Sequence, residues 1–328
     1  MNQPPGARVA VVIPCYKVRD LVPGVIGAID RDVWRIYVVD DKCPQETGRY
    51  VEQRAGDDRV RVIYNPVNLG VGGAVMAGYR AAIVDGADII VKLDGDGQMD
   101  PALIPYFVAP ILRREADYTK GNRFYDLAQI GRMPRLRVVG NGVLSVLAKL
   151  STGYWDLFDP TNGFTAIHAR MAALLPLERI SRRFFFETDM LFRLNTFRAV
   201  VVDVPMDARY GDEVSNLRIS SIVFEFAGKH FANFLRRIGY NYFLRDVSLA
   251  SLELLAGTGL LAFGMTFGGW HWRQSLAAGV ATPVGTIMIA TVAVVSGLQF
   301  LLAFFGHDIA SVPKRPVHPL APARRDPA

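Results

Sequence analysis

The sequence predicts an α/β domain on a doubly wound sheet, followed by a pair of membrane-crossing helices. Three observations predict it. Short apolar runs alternate with helical stretches, acidic residues gather at the carboxyl ends of those runs, and two long apolar stretches follow Leu249. Strands alternating with helices build such sheets, whose ligands sit beyond the carboxyl ends of the strands.

The first run, Val9–Ile13, is closed by Pro14 and reads as a buried parallel strand, with a helix from about Asp20. Arg35–Asp40 is the second strand and ends in the paired acids Asp40 and Asp41. Val60–Tyr64 is the third and Ile89–Leu93 the fourth. Asp40, Asp41, Asn65, Asn68, Asp94 and Asp96 therefore all fall at strand ends.

The fourth strand opens into Asp94-Gly-Asp96-Gly-Gln98-Met-Asp100-Pro101. Two carboxylates two positions apart in a Gly-rich turn repel each other, and a divalent cation is the common remedy. Oxygen-only ligands, with Gln98 adding another, favour Mg²⁺ or Mn²⁺. An EF-hand starting at Asp94 would need Gly and Glu where Met99 and Pro105 stand. An aspartyl-phosphate phosphatase would carry its nucleophile after the first strand. Asp and Gly are also ordinary turn residues, but this turn follows a buried strand, which favours metal binding.

Asn68-Leu-Gly70-Val-Gly72-Gly73-Ala74 leads into a helical pattern up to about Ala87. Glycines let backbone amides approach a ligand, and a helix N-terminus favours phosphate. Val75 stands where a dinucleotide fingerprint needs its last Gly, and no Gly-Lys-Ser/Thr is present. A simple helix-entry turn explains this stretch equally well.

Of the 328 residues 51% are hydrophobic, and the mean hydropathy of +0.19 is high for a soluble domain. A net charge of +6 is modest for this length and does not point to nucleic acid. Cys15 and Cys43 each end a strand and give no disulfide framework, so they read as reduced and facing the cytosol. The chain reaches Val9 without a basic region and a long apolar core, so no cleavable signal peptide is expected.

From Asn216 to Tyr240 the pattern is amphipathic: Ile219, Ile222, Val223, Phe226 and Phe234 fall on one face, Arg218, Glu225, Lys229 and Arg236 on the other. Its place before a membrane run favours an interfacial helix. Leu249–Phe267 and Val280–Phe305 are each long enough to span a bilayer, and the connection holds Trp270, His271, Trp272 and Arg273. A buried soluble hairpin is the competing reading. The expected organisation is a catalytic domain over 1–215, juxtamembrane helices over 216–247, two spans within 248–309, and a disordered, Pro- and Arg-rich cytosolic tail over 310–328.

Val-Val-Asp40-Asp41, Asn68-x-Gly70-x-Gly72-Gly73-Ala and Asp94-x-Asp96-x-Gln98 occur in the order and spacing of inverting GT-A glycosyltransferases of family 2. Lys120-Gly-Asn-Arg123-Phe, Asp159-Pro-Thr-Asn162-Gly-Phe and Phe186-Glu187-Thr-Asp189 extend the match. More narrowly, the chain from Ala7 to about Ile309 resembles the polyprenyl-phosphate glycosyltransferases, which include dolichol-phosphate mannose synthase and bacterial undecaprenyl-phosphate enzymes. The resemblance implies a Rossmann-like GT-A fold and transfer of one sugar from a nucleotide-sugar, UDP ahead of GDP, to a polyprenyl phosphate at the cytosolic face of the cell's inner (plasma) membrane. It implies that Asp40 contacts base or ribose, with Pro14 and Tyr16 lining that pocket and Asp41, Asn68, Gly70, Gly72, Gly73 and Asp94 around the nucleotide. Asp94, Asp96 and Gln98 would hold Mg²⁺ or Mn²⁺. Arg123, Arg137 and Arg209 resemble basic residues that meet the acceptor phosphate, although Arg135 lies close enough to take the part of Arg137.

Displacing a nucleoside diphosphate requires charge neutralisation on the leaving group, which a cation at Asp94 and Asp96 supplies. A phosphate monoester has its second pKa at about 6, so the need for a general base is weak. Asp189, Asp159 and Glu187 are the candidate catalytic carboxylates, ranked in favour of the first two. Pairing with Arg182, Arg183 or Arg193 explains them equally well. A processive polysaccharide synthase is the nearest rival, but Gln-x-x-Arg-Trp is absent. A non-catalytic nucleotide-sugar-binding or lipid-translocating protein is the rival from another class. A homo-oligomer stays open.

Overall fold

The computed structural model of the chain describes residues 6–54, 56–125, 135–207 and 219–322, and for 135–137 and 219–223 the backbone alone. Two compact units emerge. Residues up to Phe234 with the segment from Pro313 form the first, and Leu235–Val312 the second.

The first unit is a seven-stranded sheet with helices packed on it. In chain order the strands are β1 (Val9–Cys15), β2 (Arg35–Asp40), β3 (Val60–Tyr64), β4 (Ile89–Lys92), β5 (Tyr118–Asn122), β6 (Thr165–His168) and β7 (Val201–Pro205), arranged in space β3-β2-β1-β4-β6-β5-β7. The four expected strands form the parallel half. The other half is mixed: β6 runs antiparallel to both β4 and β5, while β5 and β7 are parallel. Val9, Val11, Ile13, Ile36, Val38, Ile89 and Val91 make its central core, joined by Phe107 and Phe164 stacked at 3.8 Å.

The helices of this unit are α1 (Val22–Ala28), α2 (Thr47–Arg54), α3 (Gly70–Asp85), α4 (Ile104–Leu112), α5 (Arg135–Thr152), α6 (Ala169–Leu174) and α7 (Phe186–Thr196), and α8 (Ile219–Gly239) leads on towards the second unit. Helix α3 lies so close to β1 that a Cβ on Gly78 would overlap Val12 and reach within 3.2 Å of Val39. That close packing explains a glycine in the middle of a helix, where it otherwise costs about 1 kcal/mol.

The mixed half carries a polar row across its buried interior. Register pairs Lys92 of β4 with Thr165 of β6, Thr165 with Lys120 of β5, and Lys120 with Asp203 of β7. Lys92, Lys120 and Thr165 are at most 3% exposed. Paired residues share a face, so the residues just beyond this row, Asp94, Arg123 and Gly163, leave the sheet at one edge.

Composition predicted disorder from Ser311, yet the segment after Pro313 is held through residue 322. Asp117, fully buried at the start of β5, accepts from the backbone amides of Val200, Val317 and His318 and from His318 Nδ1 at 2.8 Å. The His318 ring stacks on His168 at 4.1 Å. Burial alone would raise the Asp117 pKa; the His318 side chain and the three amides outweigh it and hold the carboxyl below its ordinary value.

The second unit is an antiparallel pair, α9 (Leu249–Ala278) and α10 (Val284–Ala310), both long and apolar enough to cross a membrane. Helix α9 continues through Trp270–Arg273 to Ala278, and Gly279 at φ 64° ends it. Glycines make the contact: a Cβ on Gly257 would meet the Gly297 carbonyl at 3.0 Å, and one on Gly264 would meet Val294 at 2.8 Å. Arg237 and Asp308, each 1% exposed on their side chains, pair through two bonds of 2.6 and 3.0 Å, and the Tyr242 hydroxyl donates to the same carboxylate at 2.6 Å.

Gly78→Ala should cost about 1–3 kcal/mol, because the added methyl must displace a buried strand. Gly140→Ala, on a helical position with open space around its Cβ, should instead be neutral or stabilising by up to about 1 kcal/mol. Thermal unfolding of the two purified variants checks both signs.

Candidate active site

The carboxyl ends of β1, β2 and β4 open onto a cavity of about 650 Å³. Pro14, Cys15, Tyr16 and Val18 line it from β1, Asp41, Asn68, Gly70, Val71 and Ala74 from the loop and helix beside β2, and Lys92, Asp94, Gly95 and Asp96 from β4. Thr161, Gly163, Arg183, Phe184 and Glu187 complete the wall.

Consecutive residues of a strand face opposite ways, and Asp40 and Asp41 use this to tie down two loops. Asp40 is 4% exposed, does not line the cavity, and accepts from the amides of Cys43 and Gly48 at 2.7 Å each. Asp41 does line it, and its carboxylate accepts from Asn65 Nδ2 and from the amides of Leu69 and Gly70 at 2.7–2.9 Å. The cavity contact expected of Asp40 therefore falls to Asp41.

The glycine run serves packing as much as any ligand. The Gly70 amide goes to Asp41 and the Gly73 amide to the Arg182 carbonyl. A Cβ on Gly72 would overlap Ser181 and Phe186, and one on Gly70, at φ 79°, would sit 2.7 Å from the Arg182 oxygen. These glycines let the 181–186 segment cross the entry of α3, and that segment brings Arg183 and Phe184, with Glu187 directly after it, to the cavity wall. Gly72 and Gly73 themselves do not line it.

Asp94 and Asp96 both line the cavity. Lys92 Nζ lies 2.6 Å from Asp94 Oδ1, and Asp96 Oδ1 accepts from the Gln98 amide at 2.9 Å. Gln98 does not line the cavity. Among the described residues no group of three His, Cys, Asp or Glu side chains forms a metal cage. Two hard carboxylates in an open cavity instead fit a cation such as Mg²⁺ or Mn²⁺ that completes its shell with ligand oxygens and water.

The three candidate catalytic carboxylates are separated by their surroundings. Asp189 accepts from the Ser181 amide at 2.8 Å, from Arg193 at 3.4 Å and from Asn233 at 3.3 Å, which ties α7 to α8. Asp159 is 1% exposed and grips Arg123 through bonds of 2.7 and 3.0 Å. Burial opposes ionisation of Asp159, but the Arg123 hydrogen bonds and charge prevail and lower its pKa. Glu187 alone of the three lines the cavity, and burial raises its carboxyl to about 7 against the pull of Lys92 and Lys120. Arg137 and Arg209 have side chains outside the described residues.

Residue-type reasoning missed Lys92, Lys120 and Asp203. Lys120 Nζ donates to the Asn162 carbonyl, and burial lowers its pKa to about 8. Asp203 is raised by burial to about 6, with Asn122 Nδ2 donating to it at 2.9 Å. The available signals were a lysine inside the apolar run Ile89–Leu93 and another opening Lys120-Gly-Asn-Arg123-Phe.

Residues 10–173 match the model of the glycosyl transferase family 2 domain. The chain belongs to that family. It is 30% identical over 203 residues, 61% of its length and 82% of the relative's, to undecaprenyl-phosphate mannosyltransferase of Micrococcus luteus. It is 26% identical over 207 residues, 62% of its length and 77% of the relative's, to polyprenol monophosphomannose synthase of Mycolicibacterium smegmatis. Among solved structures, glucosyl-3-phosphoglycerate synthase of Mycobacterium tuberculosis in complex with Mn²⁺, UDP and glucosyl-3-phosphoglycerate superposes with a TM-score of 0.54 at 20% identity, over 71% of this chain and 81% of that one. The likeness identifies a GT-A fold, so this family 2 transferase has the architecture its motifs imply.

Because the folded Glu187 holds its proton up to about pH 7 while an unfolded glutamate releases it near 4.5, native stability falls as pH rises across that window. Glu187→Gln should match the wild type near pH 4.5 and exceed it at pH 8, the gain growing as pH rises towards about 7. Melting temperatures across pH 4.5–8 test the sign.

Proposed function

We propose that this transferase moves a single sugar, with inversion, from a nucleoside-diphosphate sugar to a polyprenyl phosphate at the cytosolic face of the membrane. The observation that carries the reading is the cavity itself, with the Asp94–Asp96 pair on one wall and the Glu187 carboxyl on another. The acceptor class is supported by the names of the M. luteus and M. smegmatis relatives and by the two apolar helices. A UDP-sugar is preferred to a GDP-sugar, as in the UDP-N-acetylglucosamine–dolichyl-phosphate transferase of Methanococcus voltae, 25% identical over 230 residues, 66% of this chain and 91% of that one.

In this reading Pro14 and Tyr16 flank the base, and Asp41 holds the loop that meets the ribose. Asp94 and Asp96 hold Mg²⁺ or Mn²⁺, which when bound neutralises charge on the departing diphosphate. Arg123, held by its two bonds to Asp159 and outside the cavity lining, is assigned to the acceptor phosphate from sequence. Arg137 and Arg209 are assigned the same task from sequence. The acceptor is already largely dianionic at neutral pH, so Glu187 serves to fix sugar hydroxyls and no proton need be removed from the nucleophile. Supplying UDP- and GDP-sugars with undecaprenyl phosphate should give a lipid-linked monosaccharide by mass, reversibly abolished by EDTA. Full activity in EDTA after exhaustive washing, or no sugar-lipid from any donor, sinks the proposal.

The reading places both ends of the α9–α10 pair in the cytosol. Arg236 and Arg245 precede it and Lys314 and Arg315 follow, while Arg273 is the single charged residue near the turn. Capture of Val317 and His318 by Asp117 supports the same conclusion, since the chain leaves the first unit through α8 and returns to it. Helices α5 and α8, joined by Ser151 Oγ and His230 Nδ1 at 2.8 Å, leave Val139, Val143, Val146, Phe224 and Phe231 exposed, a surface suited to a headgroup layer. The expected stripe is thereby revised: Phe226 packs edge-on against Phe185, and Ile219, Ile222 and Val223 have side chains outside the described residues. A cysteine placed at Ser275 should label from outside intact cells and one at Ser311 only after permeabilisation; the opposite pattern refutes the topology.

A further inference from the structure

Lys92 stands where a metal-holding carboxylate pair would not by itself require a residue. It is 1% exposed, on a strand between Val91 and Leu93 that are themselves fully buried. Its ammonium lies 2.6 Å from Asp94 Oδ1 and 5.6 Å over the Phe186 ring. Gly163 leaves the room for this pair: a Cβ there would overlap Lys92 Nζ and come within 2.8 Å of Asp94 Oδ2. Burying an ammonium is costly, and the surroundings are shaped to keep this one against Asp94. The pair also lines the cavity, so its charge acts on whatever binds there.

The consequence follows from counting charge. Asp94 and Asp96 contribute two negative charges and Lys92 returns one, so a divalent cation binding alone would leave the trio positive. The cation and the ammonium would also share one carboxylate, and at such short range in a partly buried site their repulsion is strong. A diphosphate removes the excess. The Lys92 charge also favours the ionised form of Glu187, so neutralising Lys92 reduces the negative charge Glu187 supplies and works against the tightening expected of the neutral variants.

We propose that Lys92 is a positioning residue whose buried charge couples the two ligands, making retention of a divalent cation at Asp94 and Asp96 depend on a bound nucleoside diphosphate. The inference rests on the reading that these two carboxylates hold the cation. It separates what Asp94 does alone from what the pair does: the carboxylate attracts the metal, and the ammonium prevents the site from filling before the nucleotide arrives.

Three variants of the full chain in detergent test this: Lys92→Met, which removes charge and hydrogen bond; Lys92→Gln, which removes the charge but keeps a donor for Asp94; and Lys92→Arg, which keeps the charge. Mn²⁺ binding without nucleotide is read by electron paramagnetic resonance, and binding of UDP and GDP with and without Mn²⁺ by calorimetry. K92M and K92Q should bind Mn²⁺ alone at least about ten-fold more tightly than the wild type, and the gain in nucleotide affinity on adding Mn²⁺ should shrink by a similar factor. K92R should behave as the wild type. A merely structural role for Lys92 would loosen Mn²⁺ binding, never tighten it. K92Q carries the test if K92M fails to fold. Neutral variants that bind Mn²⁺ no more tightly than the wild type, or an arginine variant that groups with them, overturn the coupling. A wild type that takes up no Mn²⁺ even beside a bound nucleotide overturns the metal site itself, and the coupling with it.

Discussion

The site depends on the reversed direction of one short strand. Because β6 runs antiparallel between β4 and β5, the loop entering it and the loops leaving its neighbours meet at the same edge of the sheet. Gly163 reaches Asp94 and Lys92 from that loop, and Asn162 takes the Lys120 ammonium on its carbonyl. A wholly parallel sheet would have delivered only strand ends. The cost of this arrangement is the polar row through the interior, in which two lysines are buried among carboxyl groups whose charges they offset in part. Such networks contribute little net stability, so the row is better understood as placing charge beneath the site.

The parallel half was legible because β1, β2 and β4 are almost unbroken apolar runs, the mark of burial on both faces, with the half-exposed β3 at the edge. Strands β5 and β7 were not, since Tyr118-Thr-Lys-Gly-Asn122 and Val201-Val-Asp-Val-Pro205 carry members of the polar row where a core strand would be apolar. Within the site, the Asp94–Asp96 spacing could be read directly because a strand end and a Gly-rich turn fix it locally. The choice among Asp159, Glu187 and Asp189 could not. It depends on which side chain finds a partner far off in sequence: Arg123 for Asp159, Asn233 for Asp189, and none that removes Glu187 from the cavity.

The glycine run shows how one motif can carry two explanations at the level of residue types. Glycines at a helix entry suit an anion, but equally suit a second backbone crossing overhead. Here the overhead segment is Ser181–Phe186, and two of the amides that a phosphate would use are already given to Asp41 and Arg182. The motif therefore reaches the ligand indirectly, by setting the position of the wall that carries Glu187.

The buried pair of Arg237 and Asp308 bears on how the chain is made. Asp308 is an acidic residue near the end of an apolar helix, and a carboxylate there disfavours partition of that helix into lipid. Its partner lies 71 residues earlier, ahead of the first long helix. As the ribosome delivers the segments in order, Arg237 and Tyr242 are already in place when Asp308 emerges, and neutralisation of the acid becomes available only to a second helix that has folded back along the first. The order of synthesis thereby ties closure of the α9–α10 pair to neutralisation of its acid: an α10 that has not folded back along α9 leaves Asp308 without its Arg237 and Tyr242 contacts.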